Sequence, residues 1–350
     1  MKRILTLLTL VVIVLSCEKD KNQSSLFGTE KNIAYIGRFD KSRSDGPVFM
    51  YSGSTIRTNF SGTSIKLKLR DDSVRNYFNV IIDGNTKVLK TTGEEDTYTL
   101  AANLEDKIHT LEIVRRTEWL GGNSTILGFE LDEGAELLSP DLMTRKIEFI
   151  GDSYICGYGN EGSSSDEGFK YSTENSYMAY SAITSRTLDA EYISVCYSGM
   201  GMVQDYKGNK KFSMTNYYDV IVNNGSDRWD YSRFKPDLVV LALGGNDVES
   251  NVNREEFIDT YVKFMKRIRS NYPHAAIICV AGPSAPNDFW PKIKEYVQAA
   301  AEKYAKTADQ VYYFEFTPFT PHGSNLHPTV AEHQQLASEF IPFVKEVMAW

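Results

Sequence analysis

Cysteine is scarce in this chain. There are four in 350 residues, and no CxxC or HExxH spacing occurs, so nothing points to a structural or catalytic metal. Positive charge is also short, with a formal net charge of −8 and no cluster of lysine and arginine. A basic field for nucleic acid is therefore missing, and that class of partner is excluded. Apolar runs long enough to span a bilayer permanently are absent, and no internal repeat is visible. Histidine is limited to five residues, which leaves few choices for a general base.

What remains is an ordinary globular composition, 42% hydrophobic and 24% charged. The N-terminus stands apart. Lys2 and Arg3 precede an apolar run from Ile4 to Leu15, followed by Ser16 and Cys17. This pattern reads as an export signal over residues 1–16. Val14-Leu15-Ser16-Cys17 looks like a bacterial lipoprotein box, which implies cleavage before Cys17 and its lipidation; the alternative is an ordinary signal peptide with an incidental cysteine. Residues 17–30 are polar and read as a tether. The expected location is the outer membrane or cell surface, or the periplasmic side, with membrane contact through the lipid anchor alone. Glu18 and Asp20, just after the cysteine, fit surface display loosely. The other cysteines, Cys156, Cys196 and Cys279, cannot all pair with one another. A Cys156–Cys196 disulfide is left open, and buried thiols are the default.

Residues 31–140 have a β texture. Short alternating runs (33–36, 55–60, 64–69, 78–82, 109–114 and 125–130) are separated by turn signals such as Asp83-Gly84. Many strands with no helix between them imply a β-sandwich or jelly roll. Leu137-Leu138-Ser139-Pro140 reads as a linker. Over 144–350 strand and helix alternate. Apolar strands are expected at 146–150, 191–196, 237–243, 275–281 and 310–314, with helices at 254–270, 292–306 and 330–348. This is an α/β domain with a parallel sheet covered on both faces.

The first of these strands ends at Gly151-Asp152-Ser153. Ser153 then stands at the carboxyl end of a central strand, where open α/β sheets place their ligands, and is a candidate nucleophile. Three other stretches fall at the same edge. Ser198-Gly199-Met200-Gly201 follows the second strand and offers backbone N–H groups. Gly244-Gly245-Asn246-Asp247 follows the third, and the Asn246 amide is a candidate oxyanion donor, whereas ionised Asp247 only accepts. His327, before Pro328 and the capping box Thr329–Glu332, is presented from a stiff corner. His109, His274 and His333 read as structural, and His322 is the rival base.

These four blocks in order resemble the SGNH hydrolases. With the β-domain in front, and with Gly151-Asp152-Ser153-Tyr154-Ile155-Cys156-Gly157-Tyr158-Gly159, the chain from about residue 31 onward resembles carbohydrate esterase family 2. The resemblance implies a jelly roll followed by a three-layer SGNH domain with a flavodoxin-like parallel sheet. It also implies an acetyl esterase acting without cofactor on polysaccharides such as xylan or glucomannan. Ser153 would be the nucleophile and His327 the base, with an oxyanion hole from Ser153, Gly199 and Asn246, or Gly201 if the block is shifted. The family pattern usually has an aspartate three residues before the histidine. Here Ser324 stands there, with Asn325 next, so a Ser–His dyad held by a backbone carbonyl or a distant acid is expected. Tyr158, Leu326 and Trp290 are the candidate sugar contacts. Other readings are a lipid or thioester hydrolase on the same fold, or a glycan-binding lipoprotein whose site has decayed. A monomer is the default.

Overall fold

The computed structural model describes residues 32–350. Cys17, the expected signal at 1–16 and the tether at 17–30 lie outside the described residues.

Two antiparallel sheets face each other in the N-terminal part. One runs in the order Ala34–Ile36, Thr55–Gly62, Lys107–Arg115, Tyr77–Ile82, Asn85–Lys90. The other runs Phe39–Asp40, Val48–Phe49, Ser124–Leu131, Ile65–Asp71, Glu95–Ala101. Strand alternation makes the sandwich: Ile65, Leu67 and Leu69 point inward, while Lys66, Lys68 and Arg70 point out. The inner faces meet around Phe49, Phe60, Phe78, Leu111 and Phe129. The expected linker at 137–140 begins differently. Leu137–Leu138 pairs with Phe60 and Asn59, and buried Leu137 joins the sandwich core.

The C-terminal part holds a five-stranded parallel sheet in the order Ala190–Cys196, Arg145–Gly151, Leu238–Ala242, Ala276–Ala281, Val311–Glu315. This is the flavodoxin-like order, with the first strand beside the switch point. Side chains alternate between two buried faces. Ile150, Val239, Leu241 and Ile277 meet helices Arg254–Asn271 and Trp290–Ala305 through Phe257, Tyr261 and Val297. Ile147, Phe149, Val240 and Ile278 meet Tyr180–Thr187 and Val330–Met348 through Tyr180, Leu336 and Phe340.

The two parts are locked together. Met50 and Tyr51 of the sandwich enter the hydrolase core. The buried pair Arg38–Glu148, at 2.9 Å, crosses the boundary, and the Tyr218 hydroxyl donates to the same carboxylate at 2.9 Å. Cys156, Cys196 and Cys279 are all buried and free, so no disulfide forms among the described residues.

Candidate active site

The strand Arg145–Gly151 ends at Gly151, where only glycine fits, since an added Cβ would lie 2.3 Å from an Ile155 side-chain carbon. Asp152 caps the single helical turn Ser153–Cys156 by accepting the Tyr154 N–H at 3.2 Å, which lifts Ser153 to the sheet edge. The serine is only 7% exposed. Its hydroxyl lies 2.8 Å from His327 Nε2.

The other ring nitrogen, Nδ1, lies 3.0 Å from the Asn325 carbonyl oxygen. A carbonyl only accepts, so Nδ1 carries the proton and donates it, and Nε2 is left as the acceptor for the Ser153 hydroxyl. That carbonyl is aimed by an unusual backbone. Asn325 and Leu326 both adopt left-handed conformations, with φ of 51° and 58°. Asparagine tolerates this region; leucine does not, and the cost is about 1–3 kcal/mol per strained residue. The loop is over-determined by its ties: Gly323 N–H to His327 O at 2.7 Å, Asn325 N–H to Glu167 O at 3.1 Å, and Ser324 N–H to Gly159 O at 3.2 Å.

Ser324 is buried, and its hydroxyl has no partner. A Cβ on Gly159 would come within 2.5 Å of the Ser324 Cβ, and one on Gly162 within 2.0 Å of its Oγ. Ser324 thus packs directly against the bare backbone of two glycines. Burial without an anion pushes the His327 imidazole down to about 4, opposed only by the Asn325 and Ser324 backbone bonds. His322 lies elsewhere, exposed and paired with Glu332 at 2.6 Å. His109 is tied to Asp83 and the Glu105 carbonyl, and His333 is fully buried under Tyr180.

Asn246 opens the short helix Gly245–Glu249. Its amide nitrogen donates to Asp152 Oδ2 and to the Met200 carbonyl, each at a long 3.2 Å. Asp152 is pushed up to about 7, chiefly by burial and then by Glu249 and Asp247. Asp247 has the acceptor role its chemistry allows: it receives the N–H groups of Met202, Val203 and Gln204 at 2.7, 2.7 and 3.1 Å and pins the glycine block. Burial nevertheless raises its carboxyl to about 6. Gly201 donates its own N–H to Gln204 O at 3.0 Å, so it is not free for an oxyanion. Gly199, at φ 78°, donates to no protein group, and neither does the Ser153 amide.

Among the expected sugar contacts, Leu326 lines the cleft and is 56% exposed. Tyr158 does not line it. One side of its ring packs on His327 at 4.3 Å, and the ring stacks with Phe169 at 4.2 Å. Trp290 also stands back, packed on the wall residue Gly282, whose Cβ would meet its ring at 2.9 Å. A residue missed by sequence reasoning is Tyr206, 54% exposed, whose ring lies so close to Gly199 that a Cβ there would meet it at 2.8 Å. No periodicity marks it, because it sits in an irregular loop.

Comparison with known proteins agrees with the two-part fold. The family model "Carbohydrate esterase 2 N-terminal" matches residues 35–140, and the "GDSL-like Lipase/Acylhydrolase family" matches 149–335. A solved family two carbohydrate esterase from Clostridium thermocellum, in complex with cellohexaose, is 34% identical. It superposes with a TM-score of 0.87 over 91% of this chain and 99% of that one. The chain belongs to carbohydrate esterase family 2. It is thereby a carboxylic ester hydrolase. The curated relative cellulase/esterase CelE of Acetivibrio thermocellus is 34% identical over 91% of this chain, which spans 40% of that protein's length. An acetylxylan esterase / glucomannan deacetylase of Cellvibrio japonicus is 29% identical over 87% of this chain and 88% of its own length.

Proposed function

We propose that this family 2 esterase removes O-acetyl groups from plant-type polysaccharides such as xylan and glucomannan, through an acetyl-Ser153 intermediate. The observation that carries the reading is the aligned run Ser153 hydroxyl, His327 Nε2, His327 Nδ1, Asn325 carbonyl, opening on a cleft lined by Leu326 and Asn246. Ser153 Oγ attacks the ester carbonyl while its proton passes to Nε2. The tetrahedral oxyanion is received by the free Ser153 and Gly199 amides and by Asn246, whose two long bonds are weak enough to be exchanged. His327 then returns the proton to the departing sugar oxygen. Water, deprotonated by the same nitrogen, frees acetate in the second half. No cofactor enters the scheme. The carbohydrate class is supported by the relatives' named substrates, by the exposed Leu326 in the Ser153 cleft and by the exposed Tyr206 against Gly199. Export and lipid anchoring through Cys17 belong to the same proposal, since a polymeric substrate is met outside the cell.

The test is acetate release from acetylated xylan and acetylated glucomannan, with Ser153→Ala beside wild type. Release by wild type alone is expected. A folded Ser153→Ala protein that keeps the activity would overturn the assignment. Cleavage of a small aryl acetate with both polymers untouched would turn the reading toward lipid or thioester substrates. Polysaccharide binding with no cleavage of any ester would favour a binding protein.

A further inference from the structure

The reach between Arg115 and Gly121, at the end of a sandwich strand, does not stay in the sandwich. Trp119 packs edge-on against Tyr197 at 5.6 Å and beside Phe212 at 5.8 Å, and its carbonyl accepts from the Asn223 amide at 2.9 Å. Arg115, Arg116, Thr117 and Glu118 are all buried there. Glu118 Oε2 accepts the Ser198 N–H at 2.8 Å and the Cys156 thiol at 3.7 Å. Its own N–H donates to Oε2 of Glu174, a second wholly buried acid, at 3.2 Å. Glu118 therefore touches both sides of the reaction centre. Cys156 ends the turn that carries Ser153, and Ser198 directly precedes Gly199.

We propose that Glu118, supplied by the sandwich, is a positioning residue for the oxyanion side of the active site, acting through the Ser198 amide on Gly199. A glycine at positive φ has the widest choice of backbone conformations, so its N–H direction must be imposed by neighbours. On the far side the Tyr206 N–H holds the Gly199 carbonyl at 2.9 Å. On the near side the Glu118 bond fixes the Tyr197–Ser198 peptide. Only the two Ser198 dihedrals then separate this clamp from the Gly199 N–H. A full negative charge so near a developing oxyanion would oppose catalysis, but burial raises both Glu118 and Glu174. Both acids keep Oε1 without a partner, which leaves a place for the protons. Glu118, Cys156 and Glu174 also bring ligand atoms within 4.8 Å of one another, so a bound cation is the competing account of the cluster.

This inference rests on the esterase reading for its kinetic arm, and a second arm is independent of it. In Glu118→Ala and Glu118→Asp, amide hydrogen exchange across 197–203 should accelerate at least about tenfold, because the clamp is gone or a methylene short. The kcat on an aryl acetate should fall roughly ten- to a hundredfold with KM little changed, the signature of a misplaced oxyanion donor. Glu118→Gln, whose side-chain carbonyl accepts the same N–H, should stay within about threefold of wild type in both. Wild-type exchange and kcat in folded Glu118→Asp would overturn the proposal. So would Glu118→Gln falling as far as Glu118→Ala, or a stoichiometric metal whose removal abolishes activity. If wild type cleaves no ester, the esterase reading fails, and the exchange data still decide whether Glu118 holds the loop.

Discussion

The missing carboxylate has a measurable consequence in the pH profile. A histidine held by an aspartate keeps its proton readily, whereas His327 is half-buried, faces only a neutral carbonyl at Nδ1, and is pushed by desolvation from 6.5 down to about 4. A general base works when unprotonated, so activity is full above its pKa and is lost as pH falls through it. At about pH 5.5 an imidazole of ordinary pKa is roughly 9% unprotonated, and one near 4 is roughly 97% unprotonated. The His327 contribution to kcat/KM at that pH is thus close to its plateau, about tenfold above what an ordinary histidine allows. The assay is aryl acetate hydrolysis between about pH 4 and 9, corrected for spontaneous hydrolysis, because kcat/KM reports the free enzyme. One neighbour also titrates in the range. Asp152, near 7, accepts from the Asn246 amide, so an inflection near neutrality is to be checked in Asp152→Asn, where it should vanish. A single acid limb near 6.5 that survives in Asp152→Asn would refute the reasoning, since it would mean that an anion reaches Nδ1.

Three other outcomes can be checked. Gly159→Ala puts a Cβ at φ 58° and 2.5 Å from Ser324, so it should displace the His327 loop and cut kcat at least about tenfold, while thermal melting shows only a modest loss of about 1–3 kcal/mol. Tyr206→Ala should raise KM on acetylated polysaccharide several-fold, for a stacking contribution of roughly 1 kcal/mol, and leave aryl acetate KM nearly unchanged. His333 is buried, with Nδ1 accepting the Tyr180 N–H, and is pushed down to about 3. The unfolded chain takes up that proton first, so its stabilisation is complete above about 6.5 and is lost by about 1.4 kcal/mol per unit as pH falls toward 3. Urea midpoints at about pH 7 and 5 should converge in His333→Gln relative to wild type.

The hydrolase half was legible because its strands are continuous apolar runs and its helices carry a clear stripe. Phe257, Tyr261, Phe264 and Ile268 all prove buried. The sandwich was legible where one face is buried and silent where neither is. Asn85–Lys90 is exposed at almost every position, and Glu95–Ala101 buries only Tyr98 and Leu100, so neither shows the expected alternation. Tyr180–Thr187 is half serine and threonine and hides its helical period. Within the site, Ser153 and His327 could be named from their places beside glycine and proline punctuation. The group that orients His327 could not, because it is a main-chain atom and every residue has one. Glu118 lay beyond reach for another reason. It meets Ser198 across 80 residues and a domain boundary, and Arg115-Arg116-Thr117-Glu118 reads like a solvated strand end.

A base without a carboxylate needs its imidazolium stabilised some other way as the Ser153 proton arrives. The surroundings of His327 supply two devices. The ring lies against Tyr158, at 4.3 Å, and Tyr154, at 5.4 Å, so the developing positive charge has aromatic π-density beside it, and such contacts are worth about 0.5–2 kcal/mol depending on exposure. Tyr158 also accepts a hydrogen bond from the Asn325 side chain at 3.0 Å, and it is the Asn325 carbonyl that holds Nδ1. One aromatic residue therefore covers the base and anchors the strained loop that orients it. The carbonyl is a weaker partner than a carboxylate, but it is covalently attached two residues from the histidine and costs no buried charge. Because the ring gains no anion, its ground state stays neutral to low pH, and the positive charge is met only as it forms.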